Sequence, residues 1–158
     1  MSRAFVKEQD DAPEELLERP VSSNPNFVTE RGLRLIEEEL ERLGQAQSDA
    51  QAAEDKAAVA RAGRDLRYWQ QRRATAQLVA PPSELKAVAF ATSVTILRED
   101  GRRQRFTIVG EDEADPAKGL IAYVAPMARA LLGKAKGELA DAPGGEVEIL
   151  ELEAISLN

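Results

Sequence analysis

Two stripes of apolar residues at heptad spacing occupy the first half of the chain, and they restrict its fold more than any other feature. The first comprises Leu33, Ile36, Leu40 and Leu43, and the second comprises Val59, Ala62, Leu66, Trp69 and Ala76, with Arg73 at the remaining seam position. Steps of three and four residues keep such a stripe on the face of a helix that packs against one partner helix. When the second stripe runs in the opposite direction, Leu43 meets Leu66. The fold-back point then falls between Glu54 and Asp55, which predicts an antiparallel coiled-coil hairpin over residues 28–80.

The predicted tip of this hairpin is acidic. Glu54 and Asp55 are adjacent there, and Asp49 lies at least one turn back along the first helix. Carboxylates bind hard divalent cations such as magnesium, so Glu54 and Asp55, with Asp49 as a weaker candidate, could coordinate one. The opposing interpretation is an ordinary solvated turn, because neighbouring residues point in different directions and Lys56 repels cations. Both interpretations stay open on the sequence.

The composition excludes several kinds of chemistry. The chain has 158 residues, no cysteine, no histidine and a formal net charge of −7. Disulfides, zinc sites and catalysis by thiolate or histidine are therefore excluded, and a metal would need carboxylate ligands. The negative charge disfavours direct binding to duplex DNA or to anionic membranes. No apolar run is long enough to span a membrane and the amino terminus lacks a signal-peptide pattern, so we expect a cytoplasmic protein.

Residues 1–27 mix acidic residues with prolines and show no apolar periodicity. Such a composition predicts an acidic tail that is disordered or loosely docked on another surface. Its apolar anchors would be Phe5, Val6, Leu16 and Leu17.

Residues 81–158 change from helical spacing to the alternation that is typical of strands. Asp100-Gly101 is a strong hairpin turn between two alternating runs. Pro126 and Gly133 mark the start and the end of a short helix. In the last strand the apolar positions shift phase after Ile149, which indicates a β-bulge. We therefore predict an α+β fold, in which the coiled-coil hairpin precedes a small domain of four or five antiparallel strands with one short helix.

Three motifs in this second domain resemble the signature of the GreA/GreB transcript-cleavage factors. They are Val109-Gly110-Glu111-Asp112-Glu113-Ala114-Asp115, Gly119-Leu120-Ile121 and Pro126-Met127-Ala128-Arg129-Ala130-Leu131-Leu132-Gly133-Lys134. The start of the hairpin, Val28-Thr29-Glu30-Arg31-Gly32-Leu33, is similar to the same family, and so is Leu66-Arg67-Tyr68-Trp69. The resemblance is most specific in the carboxy-terminal domain, weak near the tip and absent from the tail.

The resemblance implies a coiled-coil finger followed by an FKBP-like domain. It also implies a monomer that docks at the rim of the secondary channel of bacterial RNA polymerase, pushes the finger inward and touches nascent RNA at most indirectly. Acidic tip residues would help to hold a second magnesium ion with which the polymerase cuts backtracked RNA. Because the catalytic groups belong to the polymerase, the factor would have no cofactor of its own and would not be an enzyme. Its polymerase-binding residues would be Glu111, Asp112, Glu113, Asp115, Pro126, Met127, Arg129 and Lys134.

Three features depart from the family pattern. The tip lacks the Asp-x-x-Glu of the cleavage factors. Each arm is shorter than theirs by roughly two helical turns, about 11 Å of reach. Ala125 stands where the family has a serine that would cap the short helix, which removes about 1 kcal/mol of local stability.

Two main hypotheses follow from this pattern. In the first, the protein is an elongation factor that assists cleavage of backtracked RNA. In the second, it occupies the same channel without assisting cleavage and competes with true cleavage factors, as the short-fingered nucleoside diphosphate kinase regulator relatives suggest. A coiled-coil adaptor unrelated to polymerase is a third alternative. Prolyl isomerase activity is rejected, because it would rest on a fold-level analogy and the chain has only four Phe, two Tyr and one Trp to line such a pocket.

Overall fold

A computed structural model describes residues 16–155 of the chain, which form seven strands and three α-helices. They are β1 (Phe27–Val28), α1 (Glu30–Ala52), α2 (Lys56–Thr75), β2 (Gln77–Leu78), β3 (Thr92–Arg98), β4 (Arg103–Val109), β5 (Leu120–Ala122), α3 (Pro126–Leu131), β6 (Leu139–Ala142) and β7 (Gly145–Ala154). The chain divides into two compact units. Among the described residues, the arm unit comprises residues 16–22 and Glu38–Gln71, and the sheet unit comprises Ser23–Glu37 and residues 72–155. The domain limits predicted at residues 27 and 80 stay a prediction.

The helical hairpin is confirmed, and its seam is close to the predicted one. On α1, Ile36, Leu43 and Ala50 are buried at steps of seven residues, and Ala62 is buried on α2. The chain turns back at residues 53–55, between the end of α1 and the start of α2. The fold-back point was therefore placed correctly by matching the two stripes.

One seam position was predicted wrongly. Arg73 is half exposed and forms an exposed ion pair with Glu37, whereas the side chain of its neighbour Arg72 is only 2% exposed. The helix repeat of 3.6 residues drifts against a strict heptad count, so the inward position passes from Arg73 to Arg72 toward the end of α2.

The sequence predicts that residues 1–27 are disordered or loosely docked on another surface; in the structure, Glu18 and Arg19 contact residues of α2. In the arm unit, the carboxylate of Glu18 accepts hydrogen bonds from Arg67, and the guanidinium of Arg19 lies 4.0 Å from the centre of the Tyr68 ring. Charged side chains therefore anchor this stretch, while Leu17 is 83% exposed and anchors nothing. Phe5 and Val6 lie outside the described residues.

In the sheet unit, five strands form one sheet in the order β5-β4-β3-β7-β6. Neighbouring strands are antiparallel except β4 and β5, which are parallel, so the prediction of an all-antiparallel sheet is wrong at that edge. The loop between β4 and β5 carries the chain back to the starting end of β4, which a parallel neighbour requires. The predicted hairpin at Asp100-Gly101 joins β3 to β4, and the predicted bulge is the register shift opposite Thr95 and Ile96.

One face of the sheet packs against α3 and forms the core. Val94, Ile96, Ile108 and Ile149 are buried on the strands, and Ala128 and Leu131 are fully buried on the helix. The short helix predicted between Pro126 and Gly133 is therefore confirmed. Within the described residues, no helix is long and apolar enough to cross a membrane.

Candidate functional site

The acidic motif after β4 lies against the root of the helical hairpin, within the sheet unit. Gly110 makes this possible, because a Cβ on it would lie 2.2 Å from the carbonyl oxygen of Phe27. Phe27 belongs to β1, which precedes α1 in the sequence and pairs with β2, the strand that follows α2. The glycine of the motif thus allows the loop to approach the backbone just before α1.

Asp112 is the partner of the buried arginine of α2. The Nε of Arg72 donates to Oδ2 of Asp112 at 2.5 Å, and its Nη2 donates to Oδ1 of Asn26 at 2.8 Å. Asn26 in turn donates to the carbonyl oxygen of Arg72 at 2.7 Å and to Oγ1 of Thr75 at 3.2 Å. A buried guanidinium needs such partners, because removing its charge from water is costly.

Glu113 makes a second connection at the first turn of α1. Its Oε1 accepts a hydrogen bond from Oγ1 of Thr29 at 2.5 Å, and its Oε2 accepts one from Arg31 at 2.9 Å. Oγ1 of Thr29 also accepts the backbone N–H of Gly32, which is the expected helix cap. A Cβ on Gly32 would lie 2.9 Å from Oε1 of Glu113, so the bare backbone leaves room for the carboxylate.

We refer to Asn26, Thr29, Arg31, Arg72, Asp112 and Glu113 as the base latch. The side chains of Asp112 and Glu113 are only 12% and 2% exposed, and their predicted part in a charged docking surface stays a prediction. Both carboxylates neutralise arginines of the same unit. The latch was missed in the sequence because its members are far apart there and because the inward arginine was assigned to position 73.

The remaining docking candidates of the loop are less enclosed. Glu111 and Asp115 are half-buried, and the carboxylate of Asp115 lies 3.9 Å from Nζ of Lys118. Tyr123 contacts this region and donates its hydroxyl to the carbonyl oxygen of Pro25 at 2.6 Å. Burial, with a smaller effect from the negative charge of Glu111, raises the pKa of Tyr123.

Helix α3 presents the other docking candidates. Pro126 and Arg129 are exposed, and Met127 and Lys134 are half-buried. Ala125 occupies the N-cap position and has no side-chain hydrogen bond to offer the helix. Because Ala128 and Leu131 hold the inner side of α3 in the core, Pro126 and Arg129 are fixed on its outer side.

The tip of the hairpin lies in the arm unit and has a well-defined turn. The N–H of Asp55 donates to the carbonyl oxygen of Ala50, and the N–H of Glu54 donates to that of Gln51. With φ of 55° at Glu54, this is the Schellman ending of a helix, in which glycine is the usual residue. Oδ1 of Asp55 then accepts the N–H of Ala58 at 3.1 Å and caps α2.

The three acidic candidates at the tip therefore have different surroundings. Asp55 is used as a cap, and Oδ1 of Asp49 accepts a hydrogen bond from Gln45 at 2.8 Å. The exposed side chain of Glu54 has no hydrogen-bond partner among residues 16–155. Over that same range, no three acidic residues are grouped so that they could hold a metal ion. The tip by itself does not form a magnesium site.

The carboxy-terminal domain matches a family model described as the C-terminal part of the transcription elongation factors GreA/GreB, over residues 82–154. Over these residues, the chain is similar to the carboxy-terminal part of the GreA/GreB factors. It is 41% identical over 83 residues to the transcription elongation factor GreA of Helicobacter acinonychis, with 49% of this chain and 51% of that protein covered. It is 37% identical over 103 residues to GreB of Neisseria meningitidis serogroup B, with 60% and 62% covered. The chain thus spans about half the length of the curated GreA proteins it matches.

Two solved structures are also similar to the chain. GreA/GreB of Nitrosomonas europaea has a TM-score of 0.39 and 24% identity, with 81% of this chain and 98% of that chain covered. The GreA factor homolog Gfh1 of Thermus thermophilus has a TM-score of 0.39 and 16% identity, with 83% and 100% covered.

Proposed function

We propose that this protein is a transcription elongation factor that binds bacterial RNA polymerase. The observation that carries the proposal is the union, in one chain, of a GreA/GreB carboxy-terminal domain with a helical hairpin that ends in an acidic turn. The curated relatives that share the domain are named transcription elongation factors. The protein would act in the cytoplasm as a monomer, without a cofactor of its own.

The outer side of α3 is the proposed contact with the rim of the secondary channel. Pro126 and Arg129 are exposed there beside the half-buried Met127, which gives a small apolar patch with one positive charge. Lys134, Glu111 and Asp115 would add charged contacts around it. Asp112 and Glu113 would serve indirectly, by holding the root of the hairpin through the base latch.

The hairpin is the proposed finger, inserted into the secondary channel to regulate elongation. Helix α1 has 23 residues and is therefore about 34 Å long. At its end, Glu54 is the carboxylate best placed to meet a magnesium ion held by the polymerase, because Asp55 already caps α2. Cleavage of backtracked RNA would then be catalysed by the polymerase with the help of this one carboxylate, and the factor itself would not be an enzyme.

The presence of one uncommitted carboxylate, Glu54, at the tip also favours a second candidate function. If one uncommitted carboxylate is too few, the finger would occupy the channel without promoting cleavage and would compete with true cleavage factors. Lys56, which follows the two acids directly, opposes cation binding in that case.

Cleavage of labelled RNA in stalled, backtracked polymerase complexes distinguishes the two functions. The decisive variants are Glu54→Gln, which removes the free carboxylate, and Asp55→Asn, which removes a charge but keeps a good helix cap. Glu41→Gln is the matched control, because Glu41 is an exposed carboxylate of α1, away from the turn that holds Glu54 and Asp55. Cleavage that is lost in Glu54→Gln and kept in Glu41→Gln supports the first function.

Displacement of an active cleavage factor without cleavage supports the second function. If the wild type does not bind polymerase at all, both functions are refuted. Arg129→Glu should weaken binding in either case, and unchanged affinity of that variant would refute the docking surface.

A further inference from the structure

A cavity of about 370 Å³ with both apolar and polar lining opens on the face of the sheet that α3 does not cover. The base latch forms one wall through Arg31 and Glu113, and strands β3 and β4 form the floor. The other lining residues are Ser93, Arg105, Thr107, Lys118, Leu120 and Ile155. All of these belong to the sheet unit.

The floor of the cavity offers a hydroxyl hydrogen. Oγ of Ser93 and Oγ1 of Thr107 lie 2.7 Å apart in one hydrogen bond, and Ser93 is only 3% exposed. Two hydroxyl groups carry two hydrogens, and this bond uses one of them. The second hydroxyl remains able to donate to a ligand.

Two cations beside the floor have most of their donors available. Arg105 contacts Glu153 through Nη2 at 2.6 Å, and Lys118 contacts Asp115 at 3.9 Å, beyond hydrogen-bond distance. A guanidinium has five N–H donors and an ammonium has three, so each of these contacts leaves several unused. Arg31 is held by Glu113 and serves as the wall.

Each carboxylate oxygen in the wall already has a donor of the protein. Both carboxylate oxygens of Glu113 accept hydrogen bonds, from Thr29 and from Arg31. The cavity is therefore rich in donors from three elements, and Leu120 and Ile155 provide an apolar side. A ligand that fits must carry several acceptor oxygens on one end and an apolar group on the other.

We propose that this cavity binds a small organic phosphate monoester. The phosphoryl oxygens accept hydrogen bonds from the Ser93/Thr107 hydroxyl pair, from Arg105 and from Lys118. The organic group packs against Leu120 and Ile155. A phosphate monoester suits the cavity better than a carboxylate, because its three terminal oxygens match the three kinds of donor.

Titration with phenyl phosphate, followed by ¹H–¹⁵N chemical shifts of the full chain, tests the proposal. Saturable shifts should be confined to residues near positions 93, 105–107 and 118–120. Arg105→Gln and the double variant Ser93→Ala/Thr107→Val should each weaken binding about tenfold, the effect of losing one charge-assisted or buried hydrogen bond. Arg103→Gln is the matched control, because Arg103 is an exposed arginine of the same strand that does not line the cavity, and it should change the affinity less than about twofold.

Two further ligands separate the parts of the site. Phenol should bind much more weakly than phenyl phosphate, and so should inorganic phosphate. Equal affinity for phenol would refute the role of the donors, and equal affinity for inorganic phosphate would refute the role of the apolar side. An equal loss in Arg103→Gln and Arg105→Gln, or the absence of saturable shifts in the wild type, would overturn the proposal. The thermal unfolding of each variant shows whether it remains folded.

Discussion

Replacing Asp112 with alanine should destabilise the protein far more than replacing Glu37, although each carboxylate pairs with one of two adjacent arginines. Arg72 and Asp112 have side chains that are 2% and 12% exposed, whereas Arg73 and Glu37 are 50% and 49% exposed. Removing one partner of a buried pair leaves an uncompensated charge and costs about 3–5 kcal/mol. Breaking an exposed pair costs under about 1 kcal/mol, because water and salt screen it.

Urea denaturation measures the difference directly. With a slope of about 2 kcal/mol per molar urea, Asp112→Ala should lower the unfolding midpoint by about 1.5–2.5 M and Glu37→Ala by less than about 0.5 M. The double variant Arg72→Met/Asp112→Leu removes both charges and should recover most of the loss in Asp112→Ala. If the two single variants shift the midpoint equally, Arg72 is not buried in the way described and the base latch does not hold the hairpin root.

Three further predictions concern the helices and one tyrosine. Gly44→Ala should stabilise the protein by up to about 1 kcal/mol in thermal unfolding, because a Cβ there meets nothing within 4 Å. Gly32→Ala should destabilise it, because the Cβ would lie 2.9 Å from Oε1 of Glu113. Higher stability in both variants would contradict the geometry of the base latch. At the tip, Glu54→Gly should raise the free energy of unfolding by up to about 1 kcal/mol, because Glu54 has a positive φ. Asp55→Ala should lower it by about 1 kcal/mol because the helix cap is lost, and Asp55→Asn should be near neutral. An Asp55→Ala variant as stable as the wild type would argue against the cap. The raised pKa of Tyr123 means that the folded state holds the phenol proton more tightly than the unfolded state does. The contribution of Tyr123 to the free energy of unfolding is therefore present below the ordinary pKa of 10.0 and is lost as the pH rises through the raised value. Tyr123→Phe should lose less stability than the wild type between pH 9 and pH 11, and identical losses would be inconsistent with this assignment.

Features set by local sequence were predicted well. Heptad spacing located the turn at residues 53–55, the Asp100-Gly101 dipeptide located the β3–β4 hairpin, and the change of phase after Ile149 located the bulge. Each of these depends on residues that are close together in the chain, so their physical cause is visible in the sequence.

Features set by distant partners were not predicted. The drift of the helix repeat brings Arg72 inward, but its buried partner, Asp112, follows it by 40 positions and is not visible from the local sequence. The docking role of the acidic loop rests on its resemblance to the GreA/GreB motif, and nothing near it in the sequence shows that Thr29 and two arginines contact it. Likewise, the sequence does not show that Arg67 and Tyr68 of α2 contact Glu18 and Arg19.

The long sequence separation within the base latch has a consequence for biosynthesis. Thr29 and Glu113 are 84 positions apart, so a ribosome completes both helices well before it makes the loop that neutralises Arg31 and Arg72. Until then the arginines stay hydrated, since burial without a counter-charge is unfavourable, and the ends of the helices remain frayed. The ends of the two helices can therefore become ordered only after the β4–β5 loop has been synthesised. A nascent chain on a ribosome that stalls before residue 113 should remain sensitive to protease at residues 26–32.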